Sequence, residues 1–379
     1  MDSILSAYEM ENSSIVKEFI ELAKIDTFSR QERAIVDVVK MKLENLGCTV
    51  TEDDAASKIP DATAGNVFAV LEGELPGSIL FCAHLDRVQN GFGIKPQIKD
   101  GIMTSDGTTI LAADDLSGVA AILDGLRRIR YSGKKHPRIE ILFSVCEEIG
   151  LRGSYNFDAS VVQSKFGFVL DSPGRIGRIL RSAMGKAQLF LEVTGESAHA
   201  AYPERGKSAL RAAVKVLSSI GDCRVDEETV INWSYFDCPS PCNTIPDHVL
   251  AKAFAMSGNN EKLDAYIRNF QETAAQVAEE TGCKIDARVI VDYPAFHTSD
   301  ESICVRLMQK VFENMGVKAS VEDGAGGFDA NLLSRWGIEL VGLSTGYSLN
   351  HTVKENLVVE DLYKSGKMVA NAALTYAEL

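Results

Sequence analysis

A chain of 379 residues that is 45% hydrophobic and 24% charged carries enough apolar material for two packed cores, which excludes a disordered protein. Its formal net charge of −14 excludes the broad basic footprint that phosphate backbones require, so nucleic acid is not an expected partner. No apolar run reaches the roughly 18 residues of a membrane span, and the eight cysteines are scattered rather than set out as a small secreted framework.

The first residues carry Asp2, Glu9 and Glu11 and no basic stretch leading into an apolar one, so no leader is expected and the protein is read as cytoplasmic. Two helices follow, "ENSSIVKEFIELAKIDTFS" and "QERAIVDVVKMKLENLGC", the second stopping at Gly47. The short apolar runs "NVFAVLEG", "SILFCAHLD", "IEILFSVCEE" and "FGFVLD" read as buried strands, with the helix "LSGVAAILDGLRRIR" between two of them. This alternation predicts an α/β domain with a largely parallel central sheet flanked by helices.

After Asp171 the texture changes. "GKAQLFLEVTGES" alternates like a half-exposed strand, "KSALRAAVKVLSSIG" is an amphipathic helix, and "TVINWSYFDC" and "HVLAKAFAMS" are strands. The long helix "EKLDAYIRNFQETAAQVAEETG" and the strand "KIDARVIVDYP" complete a βαββαβ order, that of a ferredoxin-like α+β layer. The α/β texture then returns with the helix "ESICVRLMQKVFENMG" and the apolar run "GIELVGLST". The expected organisation is a catalytic domain in two parts, residues 1–180 and 294–379, with residues 181–293 inserted. The spacing "CPSPC", Cys238 and Cys242, has no second pair and reads as a loop; all eight cysteines are expected as thiols.

The strand ends carry the chemistry: His84 and Asp86 close one strand, Glu147 and Glu148 a second, Asp171 a third, and "GLSTGYSLNH" runs on to His351. Two adjacent carboxylates at the end of a buried strand are costly unless water or a cation stands before them. In an open α/β sheet the carboxyl ends of parallel strands share one edge, so these groups should converge there with Asp114, which opens a helix. Imidazoles and carboxylates together suit zinc, cobalt or manganese. The expected set is two divalent ions roughly 3.5–4 Å apart bridged by Asp114, with His84 and Asp171 on one ion and Glu148 and His351 on the other. Asp86 is expected to orient the His84 ring by a hydrogen bond, and Glu147 to act as base toward a metal-bridged hydroxide. Any one of these residues taken alone has a simpler reading as a cap or a solvated turn; five such endings together favour the metal. Asp115 is read as a cap on a solvent face, and His136, His248 and His297 as surface histidines without carboxylate partners.

The strings "AHLD", "AADDLSGVAAIL", "EEIGLRGS", "FVLDS", "GESAHAAYPERGKSA", "NTIPD" and "NHTVKE" occur in an order that resembles the di-zinc exopeptidases related to carboxypeptidase G and aminoacylase, in their peptidase T branch. The resemblance implies an inserted lid that also dimerises, two zinc ions, and hydrolysis of an amide bond, as an aminopeptidase on short peptides. An amidohydrolase acting on N-acyl amino acids is the alternative, and a non-catalytic binding protein on the same fold is a further one, disfavoured because neither the base nor a ligand is missing. A second clan of aminopeptidases inserts its extra domain between the first histidine and the bridging aspartate; His84 and Asp114 are too close for that. The resemblance also places His199 across a dimer against the oxyanion, and Asn243 against the substrate from the lid. It puts Met256 where relatives carry an arginine, and Gly327 and Phe328 in a substrate loop in which a small hydroxyl residue is usual at the phenylalanine. Both changes predict a less polar pocket.

Overall fold

The computed structural model describes residues 13–376. The reading of the first residues as free of a leader and the start of the first helix at Glu11 lie outside them. The chain divides into two compact units, one of residues Met1–Ser182, His297–Gly324 and Phe328–Leu379, the other of Ala183–Phe296 with Ala325–Gly327.

In the first unit the central sheet runs, from one edge, Thr49–Glu52, Val67–Leu71, Pro137–Ser144, Leu75–His84, Phe166–Ser172, Glu339–Ser344 and Arg178–Ala183. The four strands Pro137–Ser144, Leu75–His84, Phe166–Ser172 and Glu339–Ser344 are mutually parallel. The flanking pairs at Val67–Leu71 and Arg178–Ala183 are antiparallel. Parallel strands need cover on both faces, and Ile139, Ile141, Phe143, Phe81, Ala83 and Phe168 are accordingly buried. The helix Ala113–Ser132 supplies part of that cover and packs against the C-terminal helix Val359–Tyr376. The two approach closely because Gly125 faces Val369 and Gly366 faces Asp124; a Cβ at either glycine would lie 2.4 Å or 2.2 Å from its neighbour. All four parallel strands point their carboxyl ends to one edge.

The second unit is a five-stranded antiparallel sheet in the order Cys223–Arg224, Thr229–Asp237, His248–Ser257, Gly185–Thr194, Lys284–Tyr293, with helices Ala209–Ser219 and Asn260–Thr281. Counting its four long strands along the chain, the order is second, third, first, fourth, that of a ferredoxin-like layer. Its helices begin where side-chain oxygens accept the first free amides: Ser208 from Arg211 at 3.3 Å, and Asn259 from Glu261 and Lys262 at 2.9 and 3.2 Å. The long helix stops at Gly282, in the left-handed region at φ +65°. Leu189, Leu191, Val216, Val249, Leu263 and Phe270 form a core of its own.

Candidate metal centre

His84 is the last residue of its strand and is 1% exposed. Its Nε2 lies 3.1 Å from Asp114 Oδ1, and the other Asp114 oxygen lies 3.2 Å from His351 Nε2. His351 Nε2 is in turn 3.0 Å from Glu148 Oε1, while Glu147 Oε2 lies 4.0 Å from His84 Nε2. The Tyr347 hydroxyl donates to Asp171 Oδ1 at 3.0 Å, and Asn350 Nδ2 donates to Asp114 Oδ2 at 2.6 Å. Three groups of donor atoms gather within 4.8 Å of one another: His84 with Asp114 and Asp171, His84 with Glu147 and Glu148, and Asp114 with Glu148 and His351. Asp114 therefore belongs to two groups that otherwise share no residue.

The electrostatics call for cations. Burial, reinforced by neighbouring carboxylates, pushes Glu147 and Asp171 well above the usual carboxylate range and raises Glu148. Burial also opposes ionisation of Asp114, but His351 and His84 outweigh it and hold that carboxyl below its ordinary range. Hydrogen bonds that its ring donates to Asp114 and Glu148 raise His351 to about 10. Two imidazoles and four carboxylates packed this closely form the donor set of a borderline divalent metal, and a cation before Glu147, Glu148 and Asp171 would remove the repulsion that now favours their protonation.

The turn that carries the glutamates is held by other side chains at each successive amide. Asn66 Oδ1 accepts from Val145 N at 3.1 Å, Glu32 Oε1 from Cys146 N at 3.0 Å, and Asp86 Oδ1 and Oδ2 from Glu147 N and Glu148 N at 2.9 and 3.2 Å. Cys146 has φ +53°, a backbone state that an L residue keeps only when its surroundings impose it. Asp86 meets the His84 ring through its backbone carbonyl, 3.0 Å from Nδ1, and its carboxylate, 3.5 Å from the same nitrogen, also holds the turn and accepts from the Ser29 hydroxyl at 2.6 Å. The reading of Asp115 is corrected: it is fully buried, non-helical, and its Oδ2 accepts the His84 amide at 3.1 Å. Glu355, to which the sequence reading gave no role, is 1% exposed and accepts from Leu111 N, Ala112 N and Asp114 N at 2.8, 2.9 and 3.0 Å. Burial pushes its carboxyl up to about 7. The only sequence signal for it is its place in "NHTVKE", four residues after His351.

Comparison with known proteins decides the family. The model described as Peptidase family M20/M25/M40 matches residues 80–375. This chain belongs to that family. A Bacillus subtilis protein, the uncharacterized YqjE, is 34% identical over 357 residues, covering 94% of this chain and 96% of the relative. A crystal structure of aminopeptidase PepT from Bacillus cereus has a TM-score of 0.92 at 35% identity, covering 98% of this chain and 99% of the other. A Staphylococcus aureus tripeptidase has the same TM-score, 0.92, at 30% identity over the full length of both chains. The protein is a metallopeptidase of the peptidase family M20/M25/M40, with the mixed α/β fold of those structures.

In this peptidase the remaining expected residues are spread over both units. His199 and Asn243 lie on neighbouring exposed loops of the second unit, where Ala200 N donates to Asn243 O at 2.9 Å and Ile245 N to Ala198 O at 2.8 Å. His199 Nδ1 accepts from Ala201 N at 3.1 Å, and its ring stands near Tyr202. Met256, half-buried, pairs with Lys186 and Val230 in the sheet of that unit. Gly327 fits under the Tyr293 ring, where a Cβ would come within 2.2 Å. Phe328 is 4% exposed, with its ring close to Gly342 of a central strand. His297 is exposed and His136 half-buried, but His248 does have a carboxylate partner, Glu192 at 3.0 Å across adjacent strands. Cys238 and Cys242 are unpaired, as are the other six cysteines, of which Cys48, Cys82, Cys146, Cys283 and Cys304 are buried. Among the described residues no helix is long and apolar enough to cross a membrane.

Proposed function

We propose that this protein is a cytoplasmic, homodimeric aminopeptidase that removes the N-terminal residue of short peptides with two divalent cations, zinc in the first place and cobalt or manganese as substitutes. The observation that carries the reading is the pair of donor groups that share Asp114. His84, Asp114 and Asp171 would hold one cation, and Asp114, Glu148 and His351 the other. When bound, the pair would polarise the scissile carbonyl and lower the pKa of water toward about 7. Glu147, close to His84 Nε2 but outside the two groups that share Asp114, accepts the proton of the attacking water and returns it to the leaving amine. Burial raises its proton affinity, and cations beside it would bring that affinity back toward neutrality, where a base works best. Asp86 holds the turn on which Glu147 and Glu148 sit.

His199 of one subunit is assigned to the oxyanion in the active site of the other, and Asn243 to the substrate backbone. Met256 occupies the place of a carboxylate-binding arginine. A thioether makes no bidentate contact with a carboxylate, and desolvating that carboxylate without a partner is costly. The test is kcat/KM for matched peptide acids and peptide amides, with N-acyl amino acids alongside, assayed with zinc, cobalt and manganese. Peptides with a free amino terminus should be cleaved, acids and amides about equally, and Met256→Arg should shift preference to the acids. Cleavage confined to N-acyl amino acids would move the reading to an amidohydrolase.

A further inference from the structure

Glu355 ends the loop between the short strands Tyr347–Ser348 and Asn356–Val358, and its carboxylate is buried in a place that belongs to a distant part of the chain. Its two oxygens take the amides of Leu111, Ala112 and Asp114, which are the amides of the turn that delivers Asp114. Ala112 in that turn has φ +59°, and no side chain caps the helix that begins there. A left-handed alanine is held only where its surroundings over-determine it, and three charge-assisted hydrogen bonds to one carboxylate do that.

The same loop reaches Asp114 a second time. Asn350 Nδ2 donates to Asp114 Oδ2 at 2.6 Å and His351 Nε2 lies 3.2 Å from that oxygen. Loop residues Leu349 and His351 have φ +55° and +62°, so this segment too is fixed in a state that L residues seldom adopt. One loop therefore grips Asp114 by its backbone through Glu355 and by its carboxylate through Asn350.

We propose that Glu355 is a positioning residue of the metal centre: its carboxylate fixes the Asp114 turn in ligating geometry, so that Asp114 and His351 are presented as one rigid pair. The inference rests on the two-cation reading of the site and is independent of which substrate is cleaved.

The test compares Glu355→Gln with the unmodified protein, both stripped of metal. Glutamine has the same shape but keeps one acceptor oxygen and turns an amino group toward the backbone donors. Zinc and cobalt affinities are read by competition with a chromophoric chelator, the cobalt absorption spectrum reports ligand geometry, and thermal unfolding in chelator reports folding. The expected result is a folded variant whose affinity at the Asp114–His351 end falls about 10–100-fold, with an altered cobalt spectrum and a loss in kcat rather than KM. A folded variant that binds both ions as tightly as the unmodified protein, with the same spectrum, overturns the proposal. If Glu355→Gln does not fold, Glu355→Asp takes its place: the charge stays, the shorter side chain cannot span all three amides, and the same two outcomes decide. An unmodified protein that binds two ions yet cleaves no peptide would overturn the functional reading alone, since the affinities are measured without substrate.

Discussion

Glu147 and Glu148 are neighbours in the chain with different surroundings. Only Glu148 touches the His351 imidazole, at 3.0 Å, and it belongs with Asp114 and His351 to one donor group. Glu147→Gln should therefore keep both cations and lose about 10²–10⁴-fold in kcat, whereas Glu148→Gln should lose affinity for one cation; metal analysis beside kinetics separates them. The reverse pattern would exchange the two roles. Glu32, which accepts the Cys146 amide in the turn that carries the glutamates, offers a measurement at a residue that belongs to no donor group itself. It is fully buried, its Oε2 has no hydrogen-bond partner, and burial, helped by Asp86, pushes its carboxyl from 4.5 up to about 7. A carboxyl with a raised folded pKa costs nothing while both states are protonated. The cost grows once the unfolded chain ionises, from about pH 4.5, and levels off above about pH 7. Glu32→Gln, which imitates the protonated form, should gain up to about 3 kcal/mol relative to the unmodified protein between pH 4.5 and 8, read by urea unfolding of the metal-free proteins. Parallel pH curves would show that Glu32 is already charged in the fold. Residues of this kind mark the limit of what the sequence makes legible. His84, Glu148 and Asp171 stand out because each lies at or just past the end of an apolar strand. The actual contact of Asp86 does not, because a sequence gives a residue type and not whether its carbonyl or its carboxylate meets the ring. Glu355 is hidden by distance, its partners lying 241 to 244 residues away.

At the scale of elements, apolar periodicity makes the strands and most helices legible, while their ends are settled by contacts that periodicity does not report. The helix after Asp114 is an example. Asp114 and Asp115 read as its capping turn, yet both have non-helical backbones and face inward, because His84 and its strand stand against them. The C-terminal helix Val359–Tyr376 is amphipathic, and its role as partner of Ala113–Ser132 depends on two glycines that no pattern singles out. Gly125 meets the branched side chain of Val369, whose Cγ1 and Cβ would lie 2.4 and 2.6 Å from an added Cβ. Gly125→Ala favours an isolated helix by about 1 kcal/mol, but overpacking this contact costs about 1–3 kcal/mol. The expected outcome is a net loss of stability, visible as a lower thermal midpoint of the metal-free protein. A gain would mean that the two helices separate easily.

For the whole molecule, the inserted unit has a contiguous run, Ala183–Phe296, and a hydrophobic core of its own. The strands that begin and end it both pair with other members of the same sheet. Residues 183–296 made alone should accordingly fold with a cooperative transition by circular dichroism; a non-cooperative melt would show that this core needs the rest of the chain. If His199 acts across a dimer, mixing inactive His199→Ala and Glu147→Gln proteins should restore up to one working site per mixed pair, and silence in a verified heterodimer would count against that arrangement. The α/β and ferredoxin-like textures follow one another along the sequence, whereas Ala325–Gly327, expected with residues 294–379, groups with the other unit, since a short glycine-rich loop carries no texture. The clamped turn at Val145–Glu148 has a further bearing, on synthesis. Its acceptors Glu32, Asn66 and Asp86 all precede it in the chain, so they are already made when the glutamates leave the ribosome. Asp114 is served in the opposite order, by Asn350, His351 and Glu355, more than 200 residues later. A nascent chain that has reached Ser172 therefore holds every member of two donor groups, and the third waits for His351. If two cations bind, the ligand set of the second is complete only once the chain has been made past His351.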